Sequence, residues 1–407
     1  MYPDAVLDLA CGIEFDPARE EEFFAAMPAR PGVYMIEPRA PGAKPFLSRT
    51  VDLRRAAERL LRRPEAATKR LNLREVARRI RFRLTGSRFE QHLTLYQQAR
   101  LHFPSRYRDF LRLRAPAVVK INLRNAYPRF YVTRRIAADD AMYVGPFASR
   151  RAAEFFADGF RDLFKVRRCQ IKIRRDPSFP GCIYSEMKMC LAPCYAGCTD
   201  DEYIAEVARA TQVLATSGAS LESSLERERE GASGALDFER AAALHKKIEK
   251  LSEAMKHLPE IARRVDQLDA VILQRAAEDN SVAIFPVHEG LIAEPFFLRF
   301  GELSSQPRSV EAILREHLEG ETNPPEKGNS GSMAPKVMPG ADEAPTTLTD
   351  LRANFGLHAA PEQLQEHLSL LARWFYAKPR EGEIFYRGAE WPYRRLLRAC
   401  ARILAPP

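Results

Sequence analysis

Pro31-Gly32-Val33-Tyr34-Met35-Ile36, then Phe46-Leu47, then Leu53-Arg54-Arg55-Ala56-Ala57-Glu58-Arg59-Leu60-Leu61, is the stretch on which the fold turns. Residues 32–36 are apolar, aromatic and β-branched. A turn rich in Pro and Gly at 38–45 separates them from Phe46-Leu47, so the two runs predict a hairpin. From Arg49 to Arg63, Leu53, Ala56, Ala57, Leu60 and Leu61 recur at helical spacing, and Pro64 ends the helix. Tyr34 beside a glycine in such a hairpin needs no explanation beyond packing against Phe46.

Working outward, residues 1–29 are polar and acidic and read as an N-terminal extension with an amphipathic stretch at 20–27. Helical patterns are predicted at 71–84, 89–103 and 149–164, and a β-rich block at 118–132 and 143–147. Charged helices follow at 200–214 and 221–257, and strand-like alternation at 265–300. Residues 319–347 combine Pro, Gly, Ser and charge without aromatics and predict a disordered linker. The tail, 348–407, reads as two or three helices. The expected division is 1–29, 30–115, 116–200, 201–260, 261–318, 319–347 and 348–407, an α+β protein of several units.

A chain of 407 residues is too long for one core. No apolar run approaches the ~20 residues of a membrane helix, so no membrane partner is expected. Residues 1–11 carry two Asp and no basic cluster, which does not read as a secretory signal; a cytoplasmic location is expected. Charge is uneven. Residues 30–135 hold 27 Lys+Arg against 7 Asp+Glu, a balance of +20, while the whole chain is +9, leaving −11 elsewhere. Arginine dominates this basic third. Guanidinium pairs bidentately with phosphate, so a polyanion such as DNA is the expected partner, with Arg54, Arg55, Arg59, Arg78 and Arg79 as candidate contacts. A solvated basic face is the competing reading.

Five of the seven cysteines, Cys169, Cys182, Cys190, Cys194 and Cys198, fall within thirty residues. Clustered thiolates in a reducing compartment bind metal more readily than they form disulfides, and soft sulfur selects zinc or an iron–sulfur cluster. Farther on, 236–251 follows the charged helix 221–230 and carries a stripe of small and apolar residues at 241, 244, 248 and 251. Two short helices bury little alone, so this stripe is a docking candidate as well as an ordinary helix pair.

In this order these segments resemble the bacterial excinuclease subunit UvrC and its shorter relatives. Pro31-Gly32-Val33-Tyr34 resembles the first half of the GIY-YIG nuclease motif. Residues 127–134 (YPRFYVTR) and 143–147 (YVGPF) are similar to the block that follows that domain. Cys182-Ile183-Tyr184 and Cys190-Leu191-Ala192-Pro193-Cys194 resemble the cysteine block of UvrC. Residues 236–251 resemble a UVR motif, and 265–318 the start of the UvrC homology region.

The resemblance implies a small mixed GIY-YIG-like sheet with helices, a cysteine-rich metal module, a UVR helical hairpin and a partial RNase H-like α/β region. It implies a 4Fe–4S cluster, or zinc, on Cys169, Cys182, Cys190 and Cys194. It also implies a UvrB-like helicase subunit docked through Phe238, Ala241, Leu244 and Ile248. For catalysis it implies Tyr34 and Arg49, with Mg²⁺ only if the nuclease is active.

Departures from the motif are concentrated where chemistry is needed. Its second tyrosine matches Phe46, which has no hydroxyl. Its helix arginine matches Ala56, with Arg55 and Arg59 expected to point elsewhere. Its metal-binding glutamate falls near Tyr96, where no carboxylate stands. A phosphodiester needs cations for its developing charge and a base or metal for its nucleophile. The resemblance therefore implies a repair protein that binds DNA and a UvrB-type partner with an impaired nuclease. The alternatives are an active Mg-dependent nicking enzyme using Tyr34 with a displaced Glu90 or Glu75, and a non-catalytic regulator competing for UvrB.

Overall fold

The computed structural model describes residues 7–64, 71–303, 308–320, 349 and 357–405. The expected linker falls outside these from residue 321 onward.

The first unit runs β1 (Cys11–Glu14), α1 (Glu20–Ala26), β2 (Gly32–Pro38), β3 (Phe46–Thr50), α2 (Leu53–Leu61), β4 (Ala77–Leu84), α3 (Arg88–His102) and α4 (Tyr107–Leu111). Its sheet has the order β1-β4-β2-β3. The predicted hairpin is present, with Tyr34 opposite Ser48 and Met35 opposite Leu47. Every pairing is antiparallel, so the sheet is not the mixed one expected.

Two further expectations are corrected here. Residues 71–84 are not a helix. Arg79, Arg81 and Arg83 alternate with Ile80, Phe82 and Leu84, a period of two that sends one set to each face of β4. Nor is 1–29 an extension outside the sheet, because β1 pairs along β4 from Cys11–Phe82 to Glu14–Arg79.

The two faces of this sheet are covered differently. Tyr34, Ile36, Ile80 and Phe82 meet Ala56, Ala57, Leu60 and Leu61 of α2 and Phe23 and Phe24 of α1. Asp52 caps α2 by accepting from the Arg55 N–H. Val33, Met35 and Leu47 point the other way, onto α3.

The second unit contains β5 (Ala117–Asn122), β6 (Phe130–Thr133), β7 (Ala141–Phe147), α5 (Arg150–Arg161), α6 (Ile183–Glu186), α7 (Asp200–Ala215), α8 (Ala219–Gly234), α9 (Phe238–Met255) and the short β8 (Arg263–Arg264). Its sheet order is β6-β5-β7-β8. Val119, Ile121, Val144 and Phe147 face Phe156 and Phe160 of α5 and Tyr203 and Val207 of α7. Ser149 caps α5, and Thr199 with Glu202 forms a capping box on α7.

The third unit holds β9 (Ala270–Arg275), β10 (Ser281–His288), β11 (Leu291–Ile292), β12 (Phe296–Arg299), α10 (Phe300–Leu303), α11 (Val310–Gly320), α12 (Pro361–Phe375), β13 (Glu383–Tyr386) and α13 (Tyr393–Leu404). Strand order is β11-β10-β9-β13, with β12 also on β10. The tail is therefore not a purely helical appendage: β13 adds an antiparallel edge to β9. Val271, Leu273 and Ile284 meet α11 and α13 on one face. Ile272, Phe285 and Val287 turn to the other, where a shared core gathers Val33, Met35, Phe89, Val118, Tyr143, Leu364, Leu368 and Trp374. One face of each sheet thus meets α3 and α12 at the centre of the molecule.

Candidate functional site

Tyr34 lies at the middle of β2 with 1% of its surface exposed. Its hydroxyl makes no hydrogen bond. Burial pushes its pKa up, and Ser48 and Arg59 pull it part of the way back; no carboxylate acts on it. A general base must give up its proton near working pH, so the shift is in the unhelpful direction. The Phe46 ring sits 6.2 Å away, tilted, as hairpin packing requires. One expectation is corrected: Arg59 does not point away. It lies one turn beyond Ala56 on the same face of α2, which brings it to Tyr34.

The position matched to the metal-binding glutamate is on the far side of the sheet. Tyr96 belongs to the core that Val33 and Met35 join, not to the one that holds Tyr34. Its hydroxyl donates to Glu366 Oε2 at 2.7 Å. Tyr107 donates to Glu366 Oε1 at 2.7 Å, and Arg108 Nε to the same oxygen at 2.7 Å. Burial and the Glu366 carboxylate both raise the Tyr96 pKa. A buried carboxylate from α12 therefore clamps the segment in which the resemblance would look for a metal ligand.

Glu90 fares no better as a displaced ligand. It is 1% exposed, accepts the Gly86 N–H at 2.8 Å and faces Arg83 Nε at 3.4 Å. Desolvation raises its pKa. It closes the β4–α3 turn. Arg49 donates to Gln91 Oε1 at 2.9 Å, and the Gln91 amide donates to the carbonyls of Gly32 and Thr50. Gln91 thus ties α3 to the hairpin ends.

Of the five arginines offered as DNA contacts, three are exposed, Arg55, Arg59 and Arg78. Arg54 is spent inside the fold, donating to the carbonyls of Met27 and Ala25. Arg78 and Arg79 both pair with Glu37, at 3.0 and 3.2 Å, and hold its carboxyl below the usual range against its burial. Arg55 and Arg59 are exposed, Arg55 with a loose 3.5 Å pair to Asp52. A second cationic region is present that sequence reasoning did not single out. Burial and the charges of Arg49, Arg373 and Arg88 press the pKa of His92 down to about 4.

The cysteines occupy a loop-rich segment between α5 and α7. Cys182 is the N-cap of α6, and Cys194 sits in the short turn Pro193–Tyr195. Lys188, Ala192 and Ala196 all adopt left-handed backbone, with φ of 55°, 57° and 60°. Each is costly for a residue with a Cβ, of order 1–3 kcal/mol, so the loop is held against its preferences. Buried Arg167 is the organiser that the sequence did not reveal. It donates to the carbonyls of Tyr127, Cys169 and Ile171, and its Nη1 lies 3.8 Å from Cys169 Sγ.

Burial pushes the Cys190 thiol up to about 11, and the nearby Cys169, Cys194 and Cys182 add to the rise. Burial pushes the Cys198 thiol up, with Glu202 and Asp200 adding to the rise, Arg175 opposing it and Cys194 contributing last. Among the described residues, no three His, Cys, Asp or Glu side chains are drawn to metal-bonding distance of one point.

In the hairpin of α8 and α9, Leu244 is buried against Leu225 and Ala232, and Ala241 and Ile248 are half-buried beside it. Three of the four expected docking residues therefore pack within the hairpin. Phe238, at the start of α9, is 66% exposed, and Leu236 just before it 73%.

Residues 117–213, which include β5–β7 and the cysteine segment, match the family model described as UvrC/Cho excinuclease, middle domain. Three curated proteins to which the chain is similar are each named UvrABC system protein C. That of Ruminiclostridium cellulolyticum is 30% identical over 186 residues, 45% of this chain and 30% of that protein. Those of Dehalococcoides mccartyi and Moorella thermoacetica are each 26% identical, covering 70% and 75% of this chain and 47% and 50% of theirs. The chain spans between about a third and a half of the length of these curated relatives. No solved structure matches it.

Proposed function

We propose that the chain is a UvrC-like nucleotide-excision-repair protein that binds DNA and a UvrB-type helicase subunit, and that its GIY-YIG-like unit does not cut. The observation that carries this reading is that no carboxylate among the described residues acts on Tyr34. Its hydroxyl is buried with only Ser48 and Arg59 acting on it, while Tyr96 lies across the sheet bonded to Glu366. Without a base and a metal ligand at one point, phosphodiester hydrolysis has nothing to activate water, even with Arg59 beside Tyr34.

A resident metal would have to draw together thiols that do not converge on one point in this arrangement; what supports it is their shared loop. Four thiols act on one another electrostatically, the backbone around them is strained, and the Ala192 N–H donates to Cys190 Sγ at 3.3 Å. Cys169, Cys182, Cys190 and Cys194 would hold a 4Fe–4S cluster or a zinc ion. Either would neutralise the thiolates and tie the loop to the sheet through Arg167.

Partner docking falls to the exposed end of the hairpin. In a gel-shift with damaged duplex and a UvrB-type subunit, the chain should carry both into one complex. Phe238→Ala should lose the subunit yet keep the DNA, with thermal stability changed by less than about 0.5 kcal/mol because the ring is already in water. A variant that retains the subunit would make the hairpin a local packing unit and remove the partner from the account.

A further inference from the structure

Where the middle unit meets the C-terminal helix α12, the surface opens into a cleft of about 510 Å³. Its side chains include Arg112, Arg114, Arg134 and Arg373, with Ser149 and Tyr376, and no Asp or Glu. Arg112, Arg114 and Arg134 are exposed and form no ion pair among the described residues. They differ in this from Arg78, Arg79 and Arg108, which have carboxylate partners.

Four guanidinium groups in one concavity repel one another unless an anion joins them. The arrangement is built rather than incidental. Arg373 reaches from α12 to the end of α4, donating to the carbonyl of Leu111 at 2.7 Å and lying 3.4 Å from that of Arg112. Arg112 itself is held in left-handed backbone, φ 47°, a strained conformation for a residue with a Cβ. Ser149 on the wall is the N-cap of the twelve-residue α5, so the positive end of that helix dipole adds to the field. Burial, and after it the charge of Arg49, lower the pKa of Arg373.

We infer that this cleft is a backbone-phosphate site for a DNA strand, gripped by Arg112, Arg114, Arg134 and Arg373. The inference rests on the DNA-binding reading above and gives it a location: the basic third contacts DNA from its far end, through 112–134, rather than from α2 or β4. Guanidinium rather than ammonium groups suit it, because each can pair two phosphate oxygens.

Fluorescence anisotropy with the full chain and a labelled DNA oligonucleotide, single-stranded and duplex, across a salt series tests this. Arg114→Ala/Arg134→Ala should weaken binding roughly tenfold per arginine at 0.1 M salt and flatten the log–log salt slope by ~1.4–1.8. Ala377→Glu, which places a carboxylate in the wall and removes no arginine, should weaken it too. Arg394→Ala/Arg398→Ala, on α13 across the third sheet, should leave affinity unchanged. Equal affinity and slope for the cleft variants and the parent would overturn the site while leaving DNA binding intact. No binding by the parent would overturn both. Saturation of the cleft by micromolar pyrophosphate, with DNA unaffected, would make it a small-anion pocket and overturn the strand reading.

Discussion

Phe89→Ala should destabilise the protein by about 3–5 kcal/mol, the cost of emptying a large aromatic site in a packed core. Phe89 is 1% exposed at the start of α3. Its ring meets Phe285 of β10 edge-on at 5.1 Å and Trp374 of α12 at 5.7 Å. Those contacts join the first unit to the third, and aromatic pairs add ~0.5–1.5 kcal/mol each beyond area burial. Ser87 Oγ donating to Gln274 Oε1 at 2.5 Å and the Arg88 N–H donating to Glu381 cross the same seam. Thermal and urea unfolding followed by circular dichroism should show the midpoint fall and the single transition broaden as the first unit loosens. A shift within about 0.5 kcal/mol, the range of a surface substitution, would mean that the seam does not hold the units together.

Cys190→Ser should abolish metal loading altogether. Cys190 is the thiol on which all three of Cys169, Cys182 and Cys194 act, and oxygen is a poor substitute for sulfur toward iron or zinc. Protein purified without oxygen should carry about four irons and matching sulfide per chain if it holds a cluster, or about one zinc if it holds an ion. Cys198→Ser should leave that content unchanged, because Cys198 is not among the thiols that act on Cys190. Metal retained by Cys190→Ser, or lost by Cys198→Ser, would show that the ligand set is wrong.

Much of the architecture is legible where local pattern and tertiary burial agree. The hairpin at 32–50, the helices at 53–61, 88–102 and 150–161, and the strands at 117–147 follow from apolar period and capping residues such as Asp52 and Ser149. β4 misleads because Ala77 and Ile80, three apart, fit a helical stripe and share a strand face only through a bulge at Arg78. Only the Arg–apolar alternation from 79 to 84 separates the two.

Pairings between distant segments leave weaker traces. Nothing local in Cys11–Glu14 or Glu383–Tyr386 announces an edge strand, since each gains its place from a neighbour far along the chain. The same holds for chemistry. Glu366 lies in the polar stretch 362–367 and nothing local marks it as buried, and its partners Tyr96, Tyr107 and Arg108 lie more than 250 positions away. The basic excess of 30–135 is plain in the sequence. Its division into arginines neutralised by Glu37, Glu90 or Glu366 and arginines left free is set by the fold alone.

The central claim is a protein that grips DNA without cutting it at Tyr34. Incubating the purified full chain with supercoiled plasmid in Mg²⁺ or Mn²⁺, with and without a UvrB-type subunit, tests it directly. The plasmid should be retained on the protein and recovered fully supercoiled. Nicked circles formed by the parent and absent with Tyr34→Phe would contradict it.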